Sequence, residues 1–98
     1  MPLVKGRLIK HFKVIEDNGG IIEMKLWQVP KSKEKPHGFK YSLVYISNGV
    51  RIIGYDNAEG KGDHCHYWNC TEEYSFAGVK KLVSDFYNDV NKFKKGLL

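Results

Sequence analysis

Between Arg51 and His66 the chain gathers Arg51, Asp56, Asn57, Lys61, Asp63, His64 and His66, with Gly54, Gly60 and Gly62 among them. His64 and His66 are one residue apart, so on an extended strand both imidazoles face one side and Cys65 faces the other. Imidazole is the side chain best able to give and take protons near neutrality. Two chemistries fit these residue types, beside one plain structural role. As general base and general acid, His64 and His66 would serve phosphodiester transfer, with Arg51 or Lys61 stabilising charge on the phosphorane. That route needs no metal if a ribose 2′-hydroxyl is the nucleophile. As ligands, the two histidines would hold a metal with Asp56 or Asp63 as carboxylate partner. As turn residues, Asp56 and Asn57 would cap with their side chains, the glycines would supply positive φ, and the histidines would be ordinary partly buried donors. On residue types alone the turn reading leads, because Asp-Asn-Gly-rich turns are common between strands. Zinc held by the cysteines is disfavoured, since Cys65 points away from its neighbours and no CxxC pair is present.

The elements that must position this segment are strands before it and a helix after it. Leu8 to Glu16 and Ile21 to Val29 flank Asp17-Asn18-Gly19-Gly20, a turn signal between two strand-like runs. Ile22, Met24 and Leu26 share one face of the second run; Glu23, Lys25 and Trp27 share the other. Pro30 to Gly38 breaks all periodicity and reads as a polar, basic loop. Phe39 to Ile46 and Val50 to Tyr55 form the clearest hairpin, around Asn48-Gly49. A two-residue type I′ turn there pairs Tyr45 with Ile52 and Val44 with Ile53. Phe39, Tyr41, Leu43, Tyr45 and Ile52 then share one face, and Ser42, Val44, Ile46, Arg51, Ile53 and Tyr55 the other. Both faces are partly apolar, which suits central strands.

His64 to Trp68 reads as a short strand, with Asn69 to Glu73 turning back toward Tyr74. Ser75 is the expected N-cap of a helix over Ala77 to Lys95, in which Val79, Leu82, Val83, Phe86, Val90 and Phe93 recur at helical spacing. Lys92, Lys94 and Lys95 suit its last turn, and Gly96 its stop. The expected fold is α+β: a twisted antiparallel sheet of five or six strands with a long C-terminal helix on one face, in a single domain over residues 1–98. One helix covers one face, so the other must bind something, meet a second copy in a homodimer, or curl over a cleft.

Composition narrows the class. Apolar residues are 42% and aromatic residues 13% of the chain, which argues against disorder. Net charge is +5, from 16 Lys+Arg against 11 Asp+Glu, and suits nucleic acid, an acidic partner or plain solubility. No apolar run approaches membrane-span length and no secretory h-region is present. Two cysteines, Cys65 and Cys70, read as reduced thiols of a cytoplasmic protein. Tyr41 and Tyr45 read as core aromatics, while Trp27 and Trp68 share faces with polar residues and are candidates for base stacking.

The run from Tyr55 to His66 resembles the YDN–GKGDH–H signature of the TumE-like proteins, small toxins of prokaryotic toxin–antitoxin pairs. Glu23-Met24-Lys25-Leu26-Trp27-Gln28-Val29-Pro30 is similar to that family's early strand ending in Trp-x-Val-Pro. His37 to Leu43 resembles its central strand, and Tyr74-Ser75-Phe76 with Leu82, Asp85, Phe86 and Val90 its closing helix. The resemblance spans roughly residues 8 to 92, in a motif specific as motifs go. Many relatives are expected to carry Arg between the histidines, where this chain has Cys65.

The resemblance implies a cytoplasmic toxin masked by a cognate helix-turn-helix antitoxin. By analogy with small basic toxins it implies action on RNA as a metal-independent ribonuclease needing no cofactor. In that scheme His64 and His66 are the acid–base pair, Asp56 orients one imidazole, and Arg51 with Lys61 meets the phosphate. Asn57, Tyr55 and Trp27 complete the expected substrate contacts. The alternative is a non-catalytic module whose open sheet face docks an antitoxin or a nucleic acid.

Overall fold

A computed structural model describes residues 6–58 and 62–98. The elements run β1 (Arg7–Ile15), β2 (Ile21–Gln28), β3 (Phe39–Ser47), β4 (Val50–Asp56), β5 (His64–Tyr67), β6 (Cys70–Glu73) and α1 (Val79–Lys94). All six strands form one antiparallel sheet in sequence order, a meander with β1 and β6 at the edges. This is the α+β architecture expected, with Asn69 to Glu73 contributing a sixth strand where a turn was anticipated. Among the described residues no helix is long and apolar enough to cross a membrane.

The turns follow from their residues. Asn48 and Gly49 both take positive φ, 52° and 76°, as a two-residue hairpin requires. Past the turn the ladder departs from the expected register. Ser47 pairs with Val50 and Ile46 with Arg51, but Tyr45 pairs with Ile53 and Val44 with Gly54. Ile52 is the extra residue of a β-bulge, so the side-chain alternation slips by one beyond it. Tyr55 therefore moves from the open face to the core face. Gly54 and Asp56 take the open face beside Arg51.

Helix α1 lies across the face carrying Met24, Tyr41, Leu43, Tyr45, Ile53 and Tyr55. Its Leu82, Phe86 and Val90 are fully buried against them. Burial of each such side chain contributes about 1.5–3 kcal/mol. The helix starts later than expected: Gly78 (φ 106°) occupies the N-cap with no side-chain hydrogen bond, and Ser75 lies outside it. The C-terminus closes as a Schellman motif, with the N–H groups of Gly96 and Leu97 donating to the carbonyls of Phe93 and Lys92 at 2.9 and 2.8 Å. Lys94 pairs with Glu16 and ties this end to the β1–β2 turn.

Candidate functional site

The site is built on the uncovered face, where β4 and β5 run side by side. Asp56 pairs with His64 and Gly54 with His66 in the ladder. Asp56 Oδ1 lies 2.8 Å from His64 Nε2 and Oδ2 lies 3.4 Å from His66 Nε2. The two imidazoles stand edge to face, their centroids 4.8 Å apart at 88°. Each ring is anchored at its other nitrogen: His64 Nδ1 is 3.0 Å from the Gly62 carbonyl, and His66 Nδ1 is 3.0 Å from Thr71 Oγ1.

These contacts impose a count on His64. A neutral imidazole carries one N–H, yet both its nitrogens face acceptors, a carbonyl on one side and a carboxylate on the other. A second ring proton or a cation between Nε2 and Asp56 is needed to satisfy both. His66 is less constrained, because the Thr71 hydroxyl either donates or accepts. Burial lowers the His66 pKa below the ordinary value, the positive charge of Arg51 adds to that, and Asp56 opposes it.

Arg51 reaches the site through the bulge. Its side chain and that of His66 both lie over Gly54, where an added Cβ would sit 3.4 Å from Arg51 Cδ and 3.4 Å from His66 Cδ2. The cross-strand rows continue over the same face. One reads His11, Lys25, Ser42, Asp56, His64, Glu73; the next reads Lys13, Glu23, Val44, Gly54, His66, Thr71. Trp27 lies on this face two strands from Asp56, with Lys40 Nζ 5.2 Å from its ring centroid. Lys13, Lys25, Lys40 and Arg51 thus share this face with the carboxylates of Glu23, Asp56 and Glu73. Beside it opens a cleft lined by Asp63, His64, His66, Thr71, Glu72 and Glu73.

The structure brings Arg51, Asp56, His64 and His66 together, with Trp27 on the same face. It does not bring Tyr55 or Asn57. Tyr55 is on the core face, its hydroxyl bonded to Asp89 and 3.1 Å from that of Tyr67. Asn57 is buried at the end of β4, where its amide donates to the Phe39 carbonyl at 2.7 Å and accepts from the Tyr41 N–H at 3.0 Å. Its side chain extends the β3 pairing past the last strand residue, and at 1% exposure it is not presented to a substrate. Lys61 lies outside the described residues. Cys65 faces the helix side, and burial pushes its thiol pKa up. Whatever residue stands at position 65 therefore projects away from the histidines.

Sequence reasoning missed the arrangement that holds Asp63. His37 Nδ1 accepts the Phe39 N–H at 3.2 Å, so Nε2 carries the proton and donates to Asp63 at 3.0 Å. The Tyr41 hydroxyl donates to the same carboxylate at 2.6 Å, and Phe76 covers the His37 ring at 3.9 Å. Asp63 is thereby spent on the core side and is no partner for His64 or His66. The only signal in the sequence was His37 itself, at the end of a polar loop.

The family model described as Toxin TumE matches residues 3–94, and the chain belongs to that family. No curated protein and no solved structure matches it.

Proposed function

We propose that this toxin-family protein acts on RNA, cleaving a phosphodiester at the cluster of Asp56, His64 and His66 with Arg51 beside it. The observation that carries the reading is the convergence of these four side chains on the uncovered sheet face. Arg51 offers a guanidinium to non-bridging phosphate oxygens, and Lys13, Lys25 and Lys40, on β1 to β3, offer charge to the RNA on that one side of the cluster. Trp27 provides a flat ring for an unpaired base. In the reaction proposed, the ribose 2′-hydroxyl gives up its proton and attacks the adjacent phosphorus, the bond to the 5′-oxygen breaks, and that oxygen takes up a proton, giving a 2′,3′-cyclic phosphate and a 5′-hydroxyl end.

The test is expression from a tightly controlled promoter beside a His64→Ala, His66→Ala version. Growth arrest with RNA fragmentation in the first and neither in the second is expected. Equal effects in both, or none in either, would overturn the assignment.

A docking role has one observation of its own. Ile15, Ile21 and Ile46 form an apolar row on the same open face, ending at Arg51, and Ile15 is 69% exposed. A cognate antitoxin, expected to be a helix-turn-helix protein, would cover this row and the cluster together. Co-purification with the adjacent gene product that survives loss of both histidines, with no nuclease activity in the intact chain, favours this role alone.

A further inference from the structure

One nitrogen or oxygen from each of Asp56, His64 and His66 lies within 4.8 Å of the others. An acid–base pair works from two sides of a phosphate, each imidazole offering a nitrogen to a different oxygen. Here both Nε2 atoms instead turn to one carboxylate, at 2.8 and 3.4 Å. Ligand atoms bound tetrahedrally to zinc at their usual lengths stand about 3.3 Å apart; the two nitrogens lie 2.8 and 3.4 Å from the two oxygens of the carboxylate, and the three donors all fall within 4.8 Å, so small shifts bring them to that spacing. The outer contacts agree. The Gly62 carbonyl takes the Nδ1–H of His64 at 3.0 Å, which leaves the lone pair on Nε2, and the Thr71 hydroxyl, 3.0 Å from His66 Nδ1, leaves it there when it accepts. A cation at the convergence point also resolves the count at His64, because Nε2 then meets positive charge and Nδ1 keeps the only ring proton.

We propose that Asp56, His64 and His66 bind one divalent metal ion, with zinc the best match. Two imidazoles and one carboxylate with a position left open is a donor set of catalytic zinc sites. Magnesium and calcium favour oxygen donors and fit it less well. The site stands on this geometry. Its role in cleavage, as a Lewis acid on a phosphoryl oxygen beside Arg51, depends on the RNA function proposed above. The scheme departs from the metal-free one expected from sequence, because that one needs the two nitrogens apart.

Protein purified without a histidine tag and stripped with chelator is titrated with zinc chloride by calorimetry. One equivalent is expected to bind and to raise the melting temperature. In Asp56→Asn and His64→Gln, each checked for fold by circular dichroism, affinity falls at least tenfold. If a variant does not fold, cobalt added to the intact chain decides: visible bands of a four- or five-coordinate ion without a thiolate charge-transfer band are expected. No binding to the intact chain, unchanged binding in folded variants, or a thiolate band from Cys65 or Cys70 would overturn the site. RNA cleavage is assayed on the same samples. Cleavage that persists in metal-free protein overturns the metal's role and leaves the RNA function standing; zinc binding without cleavage does the reverse.

Discussion

Asp56 and His64 stand directly opposite each other in the β4–β5 ladder, with Oδ1 of one 2.8 Å from Nε2 of the other. The same carboxylate reaches His66 at 3.4 Å, so one side chain organises both rings. Asp56→Asn keeps its shape and removes its charge. RNA cleavage is expected to fall about 10- to 100-fold, as when a partner of the imidazoles is lost, with the melting temperature of the metal-free protein nearly unchanged. Full cleavage by the variant would remove Asp56 from the site.

Gly54 supplies the floor on which Arg51 and His66 lie. In Gly54→Val the branches beyond Cβ must enter the space that those two side chains fill at 3.4 Å. Valine suits a strand better than glycine, so stability should hold or rise. Cleavage and toxicity should drop together. A toxic, active Gly54→Val variant would show that the position of Arg51 and His66 does not matter.

His37 acts on structure rather than chemistry. His37→Ala removes the donor to Asp63 and the ring against Phe76. A cost of about 1–3 kcal/mol is expected, measured by denaturant unfolding. Tyr41→Phe, which deletes the 2.6 Å bond to the same carboxylate, should cost a similar amount. Because both changes leave a neighbour's contact unmade, the double variant should differ from the sum.

The helix carries a pH-dependent tie. Burial pushes the Asp85 carboxyl up, but bonds from Lys81 at 2.8 Å and the Tyr74 hydroxyl at 2.6 Å outweigh it and hold the pKa below the ordinary value. A carboxyl lowered on folding stabilises the chain above its unfolded pKa of about 4, and that stabilisation is lost as pH falls through the lower folded value. Asp85→Asn should therefore be less stable than the native chain at pH 7, and the gap should narrow at pH 3. A gap independent of pH would rule out the ionic origin.

Much of the fold was legible because its signals are local. The Asn48-Gly49 turn, the alternation of Ile22, Met24 and Leu26, and the helical spacing of Leu82, Phe86 and Val90 each identify an element without reference to the others. The bulge was not legible. Ile52 and Ile53 are both apolar and both buried, so alternation alone cannot say which one is extra. That ambiguity put Tyr55 on the wrong face. Asn57 misled for another reason: a polar residue after a strand reads as loop, and only the fold shows its amide standing in for backbone. The co-facial histidines were legible from their spacing, and their shared carboxylate only from the register. Tyr55→Phe tests this face assignment directly. It should leave RNA cleavage within about twofold, since what is lost lies on the helix side, where removing the hydroxyl from Asp89 and Tyr67 costs stability of about 1.5–3 kcal/mol.

The two tryptophans sit on opposite sides of the sheet. Trp27 lies under Lys40 on the open face, while Trp68, with φ 55°, packs edge-on against Phe93 of the helix at 5.8 Å. The chain thus carries two intrinsic fluorophores in separate environments. With Trp68→Phe the remaining emission should respond to a polyanion laid over the cluster; with Trp27→Phe it should follow undocking of the helix. Occupancy of the open face and integrity of the core can then be read optically in one molecule, without attaching a label to either.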